Sequence, residues 1–195
     1  MKKTENNFVT LTWKIEEDGK KLLGTAGPVV KNWLRSIECM LMSITHVELV
    51  EATSFEDADI PIYFSSNSFY ESVNQVNNSI AFSDVDKMMN TKKPIAPVYF
   101  NMKPTCAKWL TMGRDMYLWT ASDEKLVHMK YHLAHEIMHS LGVEHTLNYP
   151  LSMMSVTPTV ESVYKFNLAF DNFNSDNLHS FEIEALKKLF ANKVL

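Results

Sequence analysis

The sequence has few of the features that mark several specialised classes of protein. With two cysteines in 195 residues, Cys39 and Cys106, a dense disulfide framework is excluded, and we expect two buried thiols, with a single bridge as the alternative. No apolar run is long enough to span a bilayer. The 19 Lys and Arg residues are fewer than the 23 Asp and Glu residues and form no stripe, so we expect no nucleic-acid partner.

The remaining composition is that of an ordinary globular domain. Hydrophobic residues make up 46% of the chain and charged residues 22%, and such a chain can bury a sizeable core. We expect one domain over residues 1–195, with a core at 8–190, no propeptide and no C-terminal accessory domain. The polar run 4–7 stands where the apolar region of a secretory signal should be, so we expect cytoplasmic synthesis and leave non-classical release open.

Hydrophobic periodicity predicts a mixed α/β fold. Alternating patterns or short apolar runs predict five strands, at residues 8–15, 47–50, 58–64, 95–100 and 116–119. Apolar residues that recur every three or four positions predict amphipathic helices at 28–43 and 178–190. A third helix is predicted at 124–141.

Three further stretches complete this interpretation. The charged residues 16–21 are predicted to form a loop around Gly19. Residues 65–92 are rich in Ser and Asn without a clear period, and they are predicted to form a long surface segment. Pro97 would remove a ladder hydrogen bond, so the strand at 95–100 is predicted to lie at the edge of the sheet.

The most informative stretch is HEIMHSLGVEH, at residues 135–145. His135 and His139 are four residues apart, which on a helix places both imidazoles on one face, one turn apart. Gly142 can adopt the left-handed conformation that ends a helix, so the chain can turn back and bring His145 to the same point. Three neutral histidines predict a zinc site whose fourth position is open to water, as in catalytic rather than structural sites.

Glu136 lies about 100° further round the helix than His135, beside the predicted metal ion. A carboxylate there can take a proton from a zinc-bound water and pass it to a leaving amine. Two alternatives compete with this interpretation: a non-catalytic zinc-containing module that binds peptides, and a structural zinc domain with a fourth protein ligand. Glu136 counts against the binding module, because loss of the base is the usual mark of such a protein.

The pattern H-E-x-x-H-x-x-G-x-x-H resembles the metzincin zinc endopeptidases. Thr146, which follows the third histidine, makes the chain most similar to the matrixins, the family of matrix metalloproteinase catalytic domains. Metzincins also carry a methionine in a tight turn beneath the metal. Within Pro150–Ser155 the spacing from the third histidine favours Met153 and the local pattern favours Met154, and we lean towards Met154.

The resemblance implies a twisted, mostly parallel five-stranded sheet with an antiparallel edge strand, two long helices and a C-terminal helix. Residues 58–62 look like the family's A-D-I-x-I strand, 95–100 look like its edge strand, and 178–190 look like its terminal helix. The implied activity is that of a zinc-dependent metalloendopeptidase that acts on protein or peptide substrates. We expect a monomer.

The resemblance also implies where a substrate would bind. An extended peptide would lie along the edge strand at Ala96 and Val98, held by main-chain hydrogen bonds. Val156 and Thr157, which follow the methionine turn, would line the pocket for the side chain after the cut. Their side chains suggest an apolar preference.

The sequence departs from the matrixins in three ways that bear on metals and control. Pro97 and the strand after Asp115 lack the histidines that hold the family's second, structural zinc, so we expect only one zinc ion, the catalytic one. Calcium is doubtful, because Asp84 and Asp86 are better explained as a solvated loop. Cys39 is in the wrong place for the propeptide cysteine that occupies zinc in matrixin zymogens, so we expect activity once the chain is folded and metallated.

Overall fold

A computed structural model describes residues 2–3, 9–24, 27–45, 47–65, 81–83, 97–101, 107–112, 115–120, 125–156 and 179–191. These residues form a mixed α/β fold, as predicted. The strands are β1 (Lys2–Lys3), β2 (Val9–Ile15), β3 (Val47–Glu51), β4 (Ile60–Ser65), β5 (Ala81–Ser83), β6 (Val98–Asn101), β7 (Ala107–Met112), β8 (Asp115–Thr120) and β9 (Lys125–His128). The helices are α1 (Glu17–Leu23), α2 (Gly27–Thr45), α3 (Met129–Ser140) and α4 (Ser180–Ala191).

Four parallel strands form the centre of the larger sheet, in the order β3, β2, β4, β6. Their register aligns Val9 with Val47, Trp13 with Ile60, and Ile62 with Val98. Two short strands pair antiparallel to this set: β1 with β2, and β5 with β6. Because alternate residues of β2 are buried, this strand presents one apolar face to the core, as its sequence pattern predicts.

The three longer helices pack together on the core. Helix α2 lies against β3, and its predicted apolar stripe is buried from Val30 to Leu41, including Trp33 and Ile37, whereas Ile44 is only partly buried. Cys39 on this helix is exposed, so the expectation of a buried thiol there is wrong. Helix α3 contacts β5, β6 and α2, while α4 contacts α2. The histidine-bearing helix is therefore held between the sheet edge and α2. None of the helices within the described ranges is both long and apolar enough to cross a membrane.

The predicted loop at 16–21 is wrong, because residues 17–21 belong to helix α1 and Glu16 is its N-cap residue. The Glu16 side chain accepts a hydrogen bond from the Gly19 N–H at 3.0 Å and so caps the helix N-terminus. Gly19 had suggested a loop, but it serves a close contact instead: a Cβ there would lie 3.0 Å from the main-chain nitrogen of Phe64. The glycine allows α1 to pack directly on β4.

The predicted edge strand is also wrong. Strand β6 lies inside the sheet, parallel to β4 on one side and antiparallel to β5 on the other. Pro97 precedes β6, so its missing N–H removes no bond from the ladder. The short β5 lies at the sheet edge instead, within the Ser/Asn-rich segment whose sequence has no strand period.

Two predictions around the histidine-bearing helix need correction. The strand predicted at 116–119 exists as β8, but it belongs to a separate antiparallel sheet formed by β7, β8 and β9 rather than to the main sheet. Residues 125–128, which were predicted to be helical, form β9 and pair with β8. Helix α3 therefore begins at Met129, because the first residues of the predicted helix are used in a strand ladder.

Candidate metal centre

Helix α3 carries His135 and His139 on one face, and it ends in a turn that redirects the chain. Gly142 has φ +97°, its N–H donates to the His139 carbonyl at 2.8 Å, and the Val143 N–H donates to the Met138 carbonyl at 3.0 Å. This pair of bonds is a Schellman motif, which requires a residue with positive φ at the position of Gly142. The turn brings His145 back towards the helix.

The three histidines converge on one point. Their Nε2 atoms lie 3.1 Å apart for His135 and His139, 3.2 Å for His135 and His145, and 3.0 Å for His139 and His145. They form the one cluster of potential metal-ligating side chains found within the described residues. The spacing in sequence predicted this grouping.

The other ring nitrogens settle what these short contacts are. Nδ1 of His135 lies 2.6 Å from the Met153 carbonyl, and Nδ1 of His139 lies 2.8 Å from the Val143 carbonyl. A carbonyl only accepts, so both Nδ1 atoms carry the proton and both Nε2 atoms present lone pairs. Two facing lone pairs at 3.1 Å are not a hydrogen bond, and they repel unless a cation lies between them.

The donor set fits zinc. Imidazole nitrogens that bind a tetrahedral zinc ion at its usual bond length lie about 3.3–3.4 Å apart, close to the separations of the three Nε2 atoms. The Nδ1–H bonds to carbonyls are the kind of support that fixes the tautomer of a ligating histidine. His135, His139 and His145 could therefore hold a metal ion, and a zinc ion is compatible with their geometry.

The histidines are also in the protonation state that metal binding needs. Burial lowers the pKa of His135 to about 3, with the neighbouring His139 as the next cause. Burial lowers the pKa of His139 to about 4, helped by the charge of His145, and burial lowers the pKa of His145 as well. All three imidazoles are thus neutral near pH 7, and no proton has to leave before a cation binds.

Glu136 directly follows His135 on helix α3 and is only 6% exposed. Burial raises the pKa of its carboxyl to about 8, and a hydrogen bond from the Ser83 main chain opposes this rise. The Ser83 hydroxyl donates to the Glu136 main-chain carbonyl at 2.9 Å, which ties edge strand β5 to α3. Within the described structure the second carboxyl oxygen, Oε2, has no hydrogen-bond partner. An unpaired buried oxygen of this kind marks a place where a water or a substrate group can bind.

The turn at 150–155 lies behind His135. Met153 and Met154 are both buried, and the Met153 carbonyl accepts hydrogen bonds from His135 and from the Tyr131 hydroxyl, the latter at 2.8 Å. The Met154 carbonyl accepts from the Thr146 N–H at 2.9 Å, which fastens the turn to the residue after the third histidine. Both candidate methionines therefore lie in the turn, and the main-chain carbonyl of Met153 makes the contact with the side chain of His135.

Three residues that hold the turn behind His135 were not predicted from the sequence. Tyr131 stands four residues before His135, so helical spacing could have identified it. Ser152 and Glu182 meet in a buried hydrogen bond between the turn and α4. Glu182 shares a four-residue spacing with the buried Leu186 and Phe190, and a glutamate in line with an apolar stripe was a readable signal.

The four residues predicted to bind substrate have different outcomes in the structure. Val98 lies in β6, which pairs with β4 on one side and with β5 on the other, so no open strand edge is left there for the predicted main-chain hydrogen bonds to a peptide, and that prediction is wrong. Val156 is 46% exposed, and its N–H donates to the Thr146 carbonyl at 3.4 Å. Ala96 and Thr157 lie outside the described residues. Leu147 is 82% exposed two residues after His145, which adds an apolar side chain near the cluster.

Comparisons with models of protein families and with curated protein sequences find no match to this chain. We therefore infer the function from the geometry of the site and from the sequence motif. The described residues contain a cluster of three histidines that is compatible with zinc, and Glu136, which follows the first of them, has a buried carboxyl group with one unpaired oxygen.

Proposed function

We propose that this protein is a zinc-dependent metalloendopeptidase of the matrixin-like metzincin type. One observation carries the proposal: three imidazole Nε2 atoms converge within 3.2 Å of one another, and Glu136, the residue directly after His135, has a buried carboxyl whose Oε2 is unpaired among the described residues. A purely structural zinc site would gain nothing from an unpaired buried carboxyl oxygen on the residue next to a ligand, because burial of such a group lowers stability.

The arrangement of strands supports the metzincin part of the proposal. Strand β5 pairs antiparallel at the edge of four parallel strands, and it contacts the histidine-bearing helix α3. Helices α2 and α3 would be the two large helices of that fold and α4 its C-terminal helix. In this interpretation β5, and not the strand at Val98, is the edge strand of the family.

The chemistry divides between the histidines and Glu136. His135, His139 and His145 would hold the ion, which when bound supplies Lewis-acid polarisation of a peptide carbonyl. Glu136 accepts a proton from the attacking water at Oε2 as the water oxygen bonds to the carbonyl carbon. Glu136 then delivers that proton to the amine nitrogen as the carbon–nitrogen bond breaks. A nearby cation favours the ionised form of Glu136 and so counteracts the effect of burial on its pKa.

The substrate would bind in an extended form along β5. Within the described structure this strand pairs with β6 on one side only, so the main-chain groups of its other side can receive a peptide strand. The contacts of Ser83 with Glu136 keep this edge adjacent to the base. Exposed Leu147 and Val156 supply apolar surface nearby, in agreement with a preference for apolar side chains.

The test is cleavage of a quenched fluorescent peptide library by the purified protein and by Glu136→Ala, each with and without a zinc chelator. We expect chelator-sensitive cleavage that falls by at least about 100-fold in the variant, while stoichiometric zinc is retained. Zinc in the wild-type protein without cleavage of any peptide would favour the binding module instead. Equal cleavage by the variant would show that Glu136 is not the base.

A further inference from the structure

Glu182 is a buried carboxylate that the proposed chemistry does not use. It is 1% exposed and lies in the first turn of α4, whose N-terminus favours a negative charge. Its Oε2 has no hydrogen-bond partner within the described ranges. Burial of a half-paired carboxylate opposes folding, so the position is a poor one for a glutamate if packing is its only role.

The paired oxygen, Oε1, binds two groups of the turn behind His135. The Ser152 hydroxyl donates to it, and the Met154 N–H donates to it at 3.4 Å. The Met154 N–H also donates to the Ser152 hydroxyl oxygen at 3.0 Å. Ser152 and Glu182 together thus hold one N–H group, that of Met154, inside the protein.

That N–H belongs to the same peptide unit as the carbonyl that supports His135. The peptide bond between Met153 and Met154 is planar, so its N–H and its C=O keep a fixed relation to each other. The Met153 carbonyl accepts from Nδ1 of His135 at 2.6 Å and from the Tyr131 hydroxyl at 2.8 Å. Any rotation of the plane that breaks the bonds to Ser152 and Glu182 also moves the acceptor of His135.

We propose that Glu182 is a positioning residue for the metal ligand His135, acting through the rigid peptide unit between Met153 and Met154. By holding the N–H of this unit, Glu182 directs the opposite carbonyl at Nδ1 of His135, which fixes the tautomer and the ring orientation. The inference rests on the metal-binding part of the proposed function and does not require cleavage.

The test compares zinc affinity and the cobalt spectrum across a small set of variants of the full chain. Glu182→Leu removes the acceptor, Glu182→Gln keeps an acceptor oxygen without the charge, and Ser152→Ala removes one arm of the contact. Glu184→Gln, on the exposed side of the same helix, is the matched control. Zinc affinity is measured by competition with a chelator, the visible spectrum after replacement of zinc by cobalt, and stability by thermal unfolding.

We expect Glu182→Leu to weaken zinc binding by about 10–100-fold and to change the cobalt spectrum, because the support of His135 is lost. The Glu182→Gln and Glu184→Gln variants should stay within about threefold of wild type, since the acceptor is retained or untouched. A change in packing alone would lower the unfolding temperature without a change in the spectrum of the folded protein.

A folded Glu182→Leu variant with wild-type zinc affinity and spectrum overturns the inference. If this variant does not fold, Ser152→Ala decides: a wild-type affinity and spectrum there also overturn it, and weaker binding supports it. A wild-type protein that binds zinc but cleaves no peptide contradicts the endopeptidase proposal only, because the comparison of affinities stays intact.

Discussion

Two buried glutamates are connected to the candidate metal centre by different contacts, and they differ in what holds them. On the cleft side, formed by Glu136 and β5, the carboxyl receives one main-chain hydrogen bond from Ser83. On the support side, formed by Ser152–Met154 and Glu182, the carboxyl is held by a hydroxyl and a main-chain N–H. Each glutamate keeps one unpaired Oε2 among the described residues.

The difference shows that similar burial serves two purposes in one site. Glu136 is adjacent in sequence to the candidate metal ligand His135, and its unpaired oxygen is the one that the proposed function assigns to the attacking water. Glu182 reaches the same ligand only through the peptide unit between Met153 and Met154. In the proposed function, the cleft side would transfer protons, whereas the support side would fix the orientation of an imidazole.

The largest expected effect is the difference in kcat/KM between two equivalent substitutions, Glu136→Gln on the cleft side and Glu182→Gln on the support side. Glu136→Gln removes the proton acceptor and should lower kcat/KM by about 10²–10⁴-fold, with zinc affinity nearly unchanged. Glu182→Gln keeps an acceptor for Ser152 and Met154 and should lower it by no more than about threefold. The measurement is steady-state cleavage of one peptide chosen from the library. Equal losses in the two variants would erase the distinction between the two sides.

The stability of the metal-free protein should depend on pH in a way that separates the contribution of Glu136 from that of the histidines. His135 and His139 have folded-state pKa values of about 3 and about 4, below the ordinary value of 6.5. The unfolded chain therefore binds these protons first, and stability present above pH 6.5 is lost as the pH falls towards 4 and 3. Glu136 behaves oppositely: its pKa is raised from 4.5 to about 8, so its contribution, present below pH 4.5, is lost as the pH rises through 8.

The Glu136→Gln variant should no longer lose stability as the pH rises through 8, whereas its loss of stability at acid pH should remain. We expect the variant to become more stable than the parent by about 1–3 kcal/mol at about pH 9, with little difference at about pH 4.5. Urea unfolding of chelator-treated protein at several pH values measures this. A stability difference that does not grow with pH would mean that ionisation of Glu136 is not what costs stability.

The sequence predicted the parts of the molecule that depend on local spacing. The face shared by His135 and His139, the turn at Gly142 and the buried stripe of α2 all follow from the helical period. Strand β5 was missed, because three residues are too few to show a period. Val98 was misplaced because Pro97 suggested an edge, although the proline lies just before the strand.

The support side was missed for a different physical reason. The contact between Ser152 and Glu182 joins residues 30 positions apart, and hydrogen bonds between distant residues leave no period in the sequence. Only the position of Glu182 in line with Leu186 and Phe190 hinted that its carboxylate faces the core. The motif thus predicts the candidate ligands and the candidate base, whereas the structure is needed to find the contacts that orient them.

The smallest expected effect comes from Gly142, which lies in the turn that ends α3. Its φ of +97° is one that residues with a Cβ rarely adopt, although a Cβ added there would lie at an ordinary 3.6 Å from its nearest neighbour, an atom of the Leu189 side chain. Gly142→Ala should therefore lower the free energy of unfolding by about 1–2 kcal/mol through backbone strain. Gly27→Ala is the control, because a Cβ there meets no atom within 4 Å and Gly27 is not among the positive-φ glycines.

Chemical denaturation measures the stability of both variants, and the cobalt spectrum of the folded fraction measures whether the geometry of the histidines has changed. We expect the Gly142→Ala variant to lose stability while its spectrum stays that of the wild type, because the Schellman bonds to Met138 and His139 can still form. This is the converse of Glu182→Leu, which should change the spectrum. If Gly142→Ala alters the spectrum as much as Glu182→Leu does, the backbone turn orients the ligands as strongly as the buried carboxylate, and the support side extends to the end of α3.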